Sequence, residues 1–263
     1  MSAQKTSSVQ SVDRALAILE ALAQEGREVT LKQVSIIVGL DASTTHRLLQ
    51  TMAARGFVRQ EEDSGKYYLG LRAFEVGNAV PHTSHLRGLA RPILAALTEK
   101  TEETSNLAVR DAWNGVYLEQ QTSPHYLRMA AEVGRVIPLH CTAVGKVLLA
   151  GIPDEELVRF LHRERFSPLT TRTIVSPEEL EQEIHWIRTS GYAVDDEEFE
   201  EGAKCVAAPV RDRSDRVVAT VSVSGPAARF TTDRLNLFIP LVKKAGMDVS
   251  RALGYQSAPT PGF

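Results

Sequence analysis

Cysteine is scarce in this chain, with only Cys141 and Cys205 among 263 residues. Two isolated thiols give neither the ligand spacing of a metal site nor a disulfide framework, and a bridge between them is not expected in a reducing compartment. No metal and no cofactor are therefore assigned. Long apolar runs are also missing: none approaches the ~20 residues of a membrane span. The first residues lack the basic-then-apolar pattern of a secretion signal, so no membrane partner is expected and the compartment is read as cytoplasmic. Excess charge of one sign is absent too, the formal net charge being −3. Through Val80 there are nine basic residues (Lys5, Arg14, Arg27, Lys32, Arg47, Arg55, Arg59, Lys66, Arg72) against nine acidic ones (Asp13, Glu20, Glu25, Glu28, Asp41, Glu61, Glu62, Asp63, Glu75). A nucleic-acid contact from this region must then rest on local placement of cations, with modest non-specific affinity and a need for dimerisation. The length allows two domains with separate cores.

The stretch from Leu31 to Gly56 is the most informative. Val34 and Val38 share one face of a short helix, and Gly39 supplies the left-handed backbone of a sharp turn. Leu40 is read as an anchor for that turn in the core. Asp41 stands where its carboxylate can cap a second helix. In that helix Leu48, Leu49 and Met52 form an inward stripe. Its N-terminal part offers Ser43, Thr44, Thr45, His46 and Arg47, the residue types that meet base edges and phosphates from a recognition helix. Two strand-like runs follow, Phe57–Arg59 and Tyr67–Leu69, joined by a turn containing Asp63, Ser64 and Gly65. A hairpin placed there is a wing, and Lys66 near its tip is positioned for a phosphate.

Three segments carry a resemblance: Ser11-Val12-Asp13-Arg14-Ala15-Leu16, Thr45-His46-Arg47-Leu48-Leu49 and Tyr68-Leu69-Gly70. They resemble the N-terminal domain of the IclR family of bacterial transcription regulators, and the similarity extends over nearly the whole chain. The resemblance implies a winged helix-turn-helix domain, a linker helix and a C-terminal effector-binding domain of the GAF/PAS type. The expected partners are double-stranded operator DNA, a small organic acid, and further copies of the chain as a homodimer or dimer of dimers.

Along the chain, residues 1–8 are expected to be disordered, 9–70 to form the DNA-binding domain, 71–84 the linker helix, 85–256 the effector domain, and 257–263 a loose tail. Val12, Leu16, Leu19 and Leu22 recur at helical spacing, predicting a first helix over about Ser11–Ala23. His82 and His85 follow the break at Pro81 and are read as stray linker residues in preference to a metal pair. In the effector region a helix ends at Thr101, and Pro92 fits it only if it begins near Leu89 or Arg91. Strands are predicted over Asn106–Val109, Val116–Gln120 and Leu127–Ala131, with Trp113-Asn114-Gly115 as the first turn. Helices over Ala143–Ala150, Asp154–His162 and Pro177–Ser190 follow. Further strands lie over Tyr192–Val194, Lys204–Val210 and Val217–Ser224, and a last helix spans about Thr232–Leu253. Locally paired strands and segregated helices define an α+β domain on an antiparallel sheet.

Three segments of this region are candidates for one cup. The run His140–Lys146 opens a helix whose free amides suit a carboxylate. Asp195 and Cys205 flank a Glu-rich loop, and strand alternation puts the hydroxyls of Ser222 and Ser224 on one face. The family resemblance implies effector contacts at Ala143, Val144, Asp195, Cys205, Ser222 and Ser224. Val144 is larger than the residue of the corresponding family pattern, which alters the pocket's shape. Trp113, Tyr117 and Met129 are candidates to line room for an aromatic acid, or are core residues. Two rival readings use the same side chains. One is a cysteine hydrolase with Cys205 as nucleophile, His140 as base and Asp195 as orienter; the other is a thiol redox sensor through Cys141 and Cys205, which requires an exposed, acidified thiol.

Overall fold

The computed structural model describes residues 9–79, 83–129, 132–163 and 166–256. The expectations for 1–8, for 257–263, and for Pro81 and His82 fall outside these residues. The chain divides into two compact units, Met1–Pro81 and His82–Phe263.

In the first unit, helices α1 (Gln10–Glu25), α2 (Leu31–Val38) and α3 (Ala42–Ala54) precede strands β1 (Val58–Gln60) and β2 (Tyr67–Leu69) and helix α4 (Leu71–Asn78). Local chemistry sets these boundaries. Thr30 and Gln33 form a reciprocal capping box on α2, and Gly39 ends that helix at φ 64°. Asp41 Oδ1 accepts the Thr44 amide at 2.8 Å and starts α3; this contact holds the Asp41 carboxyl below its usual range. Ile18, Leu22, Val34, Leu49, Met52, Val58 and Tyr67 make the core. The stripe predicted for α1 is rotated from the observed one: Val12 and Leu16 are exposed, while Ile18, Ala21 and Leu22 are buried. Leu40 is half-buried and stands outside the core cluster. In the wing, Val58 pairs with Leu69 and Gln60 with Tyr67, and Gln60 Nε2 donates to Gly65 O across the turn. Gly70 is obligatory, because a Cβ there would lie 2.1 Å from the Gly56 carbonyl oxygen.

The second unit is a six-stranded antiparallel sheet with helices on both faces. Its strands are β3 (Thr104–Asp111), β4 (Asn114–Gln121), β5 (Val136–Pro138), β6 (Ala193–Asp196), β7 (Ala203–Arg211) and β8 (Val217–Pro226), in the order β5-β4-β3-β8-β7-β6. Helices α5 (Thr83–Thr101) and α9 (Thr232–Ala252) pack on one face around Leu94, Val206, Val221 and Val242. Helices α6 (Ala143–Ala150), α7 (Asp154–Arg163) and α8 (Pro177–Ser190) belong to the cluster on the other face, around Ile137, Leu149, Leu157 and Ile184. The α+β class and the winged helix-turn-helix are as the sequence implies.

Three details differ. Pro92 sits in the interior of α5, which starts at Thr83. The missing donor and ring clash cost about 3 kcal/mol. Leu86, Ala90, Leu94 and Leu97, buried on both sides of the break, offset that, and the residue four back is Gly88, which adds no side chain to the crowding. Residues 127–129 form no strand. Thr104 Oγ1 donates to Met129 O, and Ser123 Oγ to Glu102 O, so side chains tether this segment as a loop while the short β5 takes the edge beside β4. The first hairpin turns at Ala112-Trp113, with Asp111 paired to Asn114 and Ala112 at φ 49°. Gly115 lies inside β4, where a Cβ would meet Ile137 at 2.9 Å; its smallness serves packing rather than turning. Among the described residues no helix is long and apolar enough to cross a membrane.

Candidate effector site and DNA-facing helix

The cup lies on the α6 face of the sheet, and strand register builds it. Thr104, Ser224, Cys205 and Asp195 stand side by side on β3, β8, β7 and β6. Beside them runs a second row, Gln120, Asn106, Ser222 and Ala207. Residue alternation turns both rows to one side. The opening of α6 closes the cup from above. Thr142 Oγ1 donates to Pro138 O at 2.8 Å and accepts the Gly145 amide at 2.9 Å. That leaves the amides of Ala143 and Val144, the first two of the helix, without an intrahelical acceptor. Gly145 permits this closeness, since its Cβ would fall 2.3 Å from Leu139 Cα.

Of the six positions that the resemblance implied, Val144, Asp195, Cys205 and Ser224 line the cup. Ala143 and Ser222, both fully buried, sit in the layer behind it. Tyr117, Met129, Ile137 and Phe199 supply apolar wall, and Arg135 and Lys204 also border the space. Trp113 is elsewhere: it packs on Phe160 with ring centroids 5.7 Å apart. A broader, open concavity lies beside the turn of the helical pair, lined by Leu31, Ile36 and Leu40 among others. It is an open surface, whereas the cup is more enclosed and gathers more polar side chains, so the cup is the better candidate.

Polar residues to which sequence reasoning gave no role of their own, Asn106, Gln120, Lys146, Glu183 and Glu198, complete the site. Asn106 Nδ2 donates to Ser222 Oγ at 3.4 Å and Ser224 Oγ at 3.3 Å, and its Oδ1 accepts from Gln120 Nε2 at 3.1 Å. Lys146, only 1 % exposed, donates to Glu198 Oε1 at 2.6 Å and Glu183 Oε1 at 3.3 Å. Asp195 Oδ1 accepts the amides of Glu198 and Phe199 at 2.8 and 3.3 Å and so shapes the loop that follows β6. Burial, reinforced by the Glu198 charge, still pushes the Asp195 carboxyl up to about 7.

The sign of that displacement makes a prediction. A folded-state pKa near 7, above the ordinary 3.8, means stability that is complete in acid and lost as pH rises toward 7. Asp195→Asn should therefore stabilise the protein at pH 8 by on the order of a few kcal/mol, since each ten-fold change in a protonation equilibrium is worth ~1.4 kcal/mol. Its advantage should vanish near pH 4. Urea denaturation across that range checks it; a pH-independent difference counts against the assignment.

The thiols do not suit the rival readings. Burial, then the Asp195 carboxylate, pushes the Cys205 thiol far above its normal range. Burial, then Asp195 and Glu198, pushes Cys141 up to about 12. Both shifts disfavour the thiolate that nucleophilic attack and redox sensing require. His140 stacks on Phe166, with Nε2 3.4 Å from Ser167 O. Among the described residues no cluster of three or more His, Cys, Asp or Glu is arranged to hold a metal.

On α3, Ser43, His46 and Arg47 are exposed and Thr44 is half-buried. Thr45 corrects the predicted polar run: it is fully buried, its hydroxyl donating to Asp41 O at 2.9 Å. A contiguous polar run cannot all face outward on a helix of 3.6 residues per turn. Exposed Gln50 takes its place, three and four residues beyond Arg47 and His46 on the same face. Lys66 is half-buried at the base of the wing turn, where its carbonyl accepts the Glu61 amide.

A winged helix on one unit and a buried polar cup in a sheet-and-helix second unit are the architecture of a transcription regulator with a DNA-binding and a ligand-binding domain. Residues 11–62 match the IclR helix-turn-helix domain and residues 78–251 the bacterial transcriptional regulator IclR C-terminal domain. The chain is 38% identical over 251 residues to the transcriptional repressor IclR of Escherichia coli (strain K12), covering 95% of this chain and 92% of that one. It is 39% identical over 252 residues to the HTH-type transcriptional regulator KdgR of Dickeya chrysanthemi, with coverages of 96% and 82%. Among solved structures, the Thermotoga maritima IclR matches at TM-score 0.79 and 30% identity, covering 94% of this chain and 100% of that one. A transcriptional regulator from Rhodococcus sp. RHA1 matches at TM-score 0.80 and 32% identity, with coverages of 94% and 99%. The chain belongs to the IclR family of bacterial transcriptional regulators.

Proposed function

We propose that this regulator binds a palindromic operator in the cytoplasm as a dimer, or a dimer of dimers, and that its cup senses a small organic or aromatic acid. In this reading residues 9–70 bind DNA, 71–84 link, and 85–256 sense. Ser43, Thr44, His46, Arg47, Gln50 and Lys66 are the DNA-contacting set. Ala143, Val144, Asp195, Cys205, Ser222 and Ser224 are the effector set, Ala143 through its amide and Ser222 from behind Ser224.

One observation carries the sensor half: hydrogen-bond donors converge on one buried space. The start of α6, through Thr142 and Val144, and Ser224 line a cup that Arg135 and Lys204 also border. A helix N-terminus and oriented hydroxyls favour an anionic, oxygen-rich group. Tyr117, Met129, Ile137 and Phe199 offer apolar surface to the rest of the molecule. Asp195 is the acceptor among these donors and suits a ligand hydroxyl.

Ser224→Ala is expected to weaken acid binding by about 1 kcal/mol, and by more where the lost bond is charge-assisted. Calorimetry of the full chain against a panel of hydroxy and aromatic acids measures it. Unchanged affinity in the Ser224→Ala protein would place the pocket elsewhere.

A further inference from the structure

The second row of polar residues lies behind the cup rather than in it, yet it touches the residue that faces the ligand space. Asn106 is fully buried. Its two N–H groups are directed at Ser222 Oγ and Ser224 Oγ, 3.4 and 3.3 Å away. Its carbonyl oxygen is occupied by Gln120 Nε2 at 3.1 Å. A primary amide held this way presents only donors to the serines. A serine hydroxyl that accepts from Asn106 keeps its single proton for another acceptor. For Ser224, among the described residues, no protein acceptor lies within bonding distance, and its hydroxyl borders the cup.

We infer that Asn106, oriented by Gln120, is a specificity-determining positioning residue that fixes Ser224 as a hydrogen-bond donor and so selects a carboxylate over a neutral amide. The inference rests on the reading of the cup as an acid site. Neither residue touches the ligand; each acts through Ser224. Reversing the row reverses the selection. An ionised aspartate at 106 can only accept, so at a pH where it carries its charge the Ser224 proton turns back toward it and the hydroxyl oxygen faces the cup as an acceptor. A glutamate at 120 does the same one step removed, because its carboxylate draws the Asn106 N–H groups and turns the amide oxygen toward the serines. A buried polar site discriminates strongly when the wrong partner leaves one of its groups unpaired.

The test uses matched pairs of acid and amide: lactate and lactamide, benzoate and benzamide, salicylate and salicylamide. Each is titrated calorimetrically into the full-length protein and its Asn106→Asp and Gln120→Glu variants, with cooperative melting as the check on folding. The wild type should favour the acid of at least one pair by about ten-fold or more. Both variants should bring that ratio below about two-fold, and the amide's own affinity should rise. Added negative charge alone would weaken the acid without improving a neutral amide, so the rise separates reorientation from simple repulsion. Gln120 is half-buried rather than core, so Gln120→Glu decides the matter if Asn106→Asp fails to fold. Variants that keep the wild-type ratio would overturn the role of Asn106 while leaving the acid reading intact. A wild type that binds no acid of the panel, or prefers the amides, would overturn the acid reading and this inference with it.

Discussion

Operator binding by the Arg47→Ala protein is expected to weaken by roughly 1–3 kcal/mol for each half-site, a loss taken twice by the proposed dimer on the proposed palindrome. Arg47 lies on the outer face of α3 with Ser43, His46 and Gln50. Its backbone carbonyl accepts the Thr51 hydroxyl at 2.9 Å, a bond that truncation of the side chain leaves in place. Folding and oligomeric state should therefore be unaffected. Because the unit is neutral over its first 80 residues, non-specific attraction is weak and the loss should not be masked by it. Lys66→Ala should act differently, lowering affinity on all sequences alike and reducing the salt slope by about one. Gel-shift titrations at several salt concentrations measure both effects. Wild-type affinity in Arg47→Ala would remove this residue from the contact set.

Lys146→Ala should destabilise the protein by roughly 3–5 kcal/mol, the usual cost of leaving a buried charge without its partner. Lys146 and Glu198 are both more than nine-tenths buried in their side chains, 1 and 9 % exposed, and 2.6 Å apart. Glu183, 29 % exposed, turns toward solvent more easily and adds less. Burial already raises the Glu198 carboxyl, and the ammonium of Lys146 is the main influence lowering it again. Without that charge the Glu198 pKa climbs further. The penalty in the variant should then be largest above neutrality and shrink as pH falls and Glu198 takes up a proton. Lys146→Met, which keeps the volume, separates lost charge from lost packing. Chemical denaturation at pH 5 and pH 8 is the measurement; a pH-independent loss would point to packing alone.

The helix pair and its turn are legible because their signals are local. A glycine at φ 64° and a capping aspartate act within a few residues of where they stand. Thr45 defeats the sequence reading because neighbours in the chain do not share a helix surface, and Gln50 escapes it although it completes the helical spacing from Ser43, His46 and Arg47. The cup depends instead on register. Strand alternation alone puts Ser222 and Ser224 on one face, but only the pairing of β3 with β8 brings Asn106 to them from more than a hundred positions away. Lys146 is unreadable for a similar reason. A lysine in a helix opening looks solvated until the loop after β6 folds over it with Glu198. The short β5 and the tethered 127–129 segment exchange places because a three-residue strand carries little periodic signal. Gly115 points to a turn, yet the constraint it answers comes from Ile137 on a neighbouring strand.

Coupling between the cup and the DNA-binding helix is the central claim, and one titration addresses it directly. DNA selected from a random pool by the full-length protein is labelled. Its affinity is then followed by fluorescence anisotropy against rising concentrations of an acid that the protein binds, for wild type and Ser224→Ala side by side. A ligand changes a remote affinity only through its differential binding to two states, and a weakened site needs more ligand to reach the same limit. The account predicts that the acid shifts wild-type DNA affinity to a plateau, and that Ser224→Ala reaches that plateau at about five-fold or higher concentration. Superimposable curves for the two proteins, or DNA affinity indifferent to saturating acid, would contradict it.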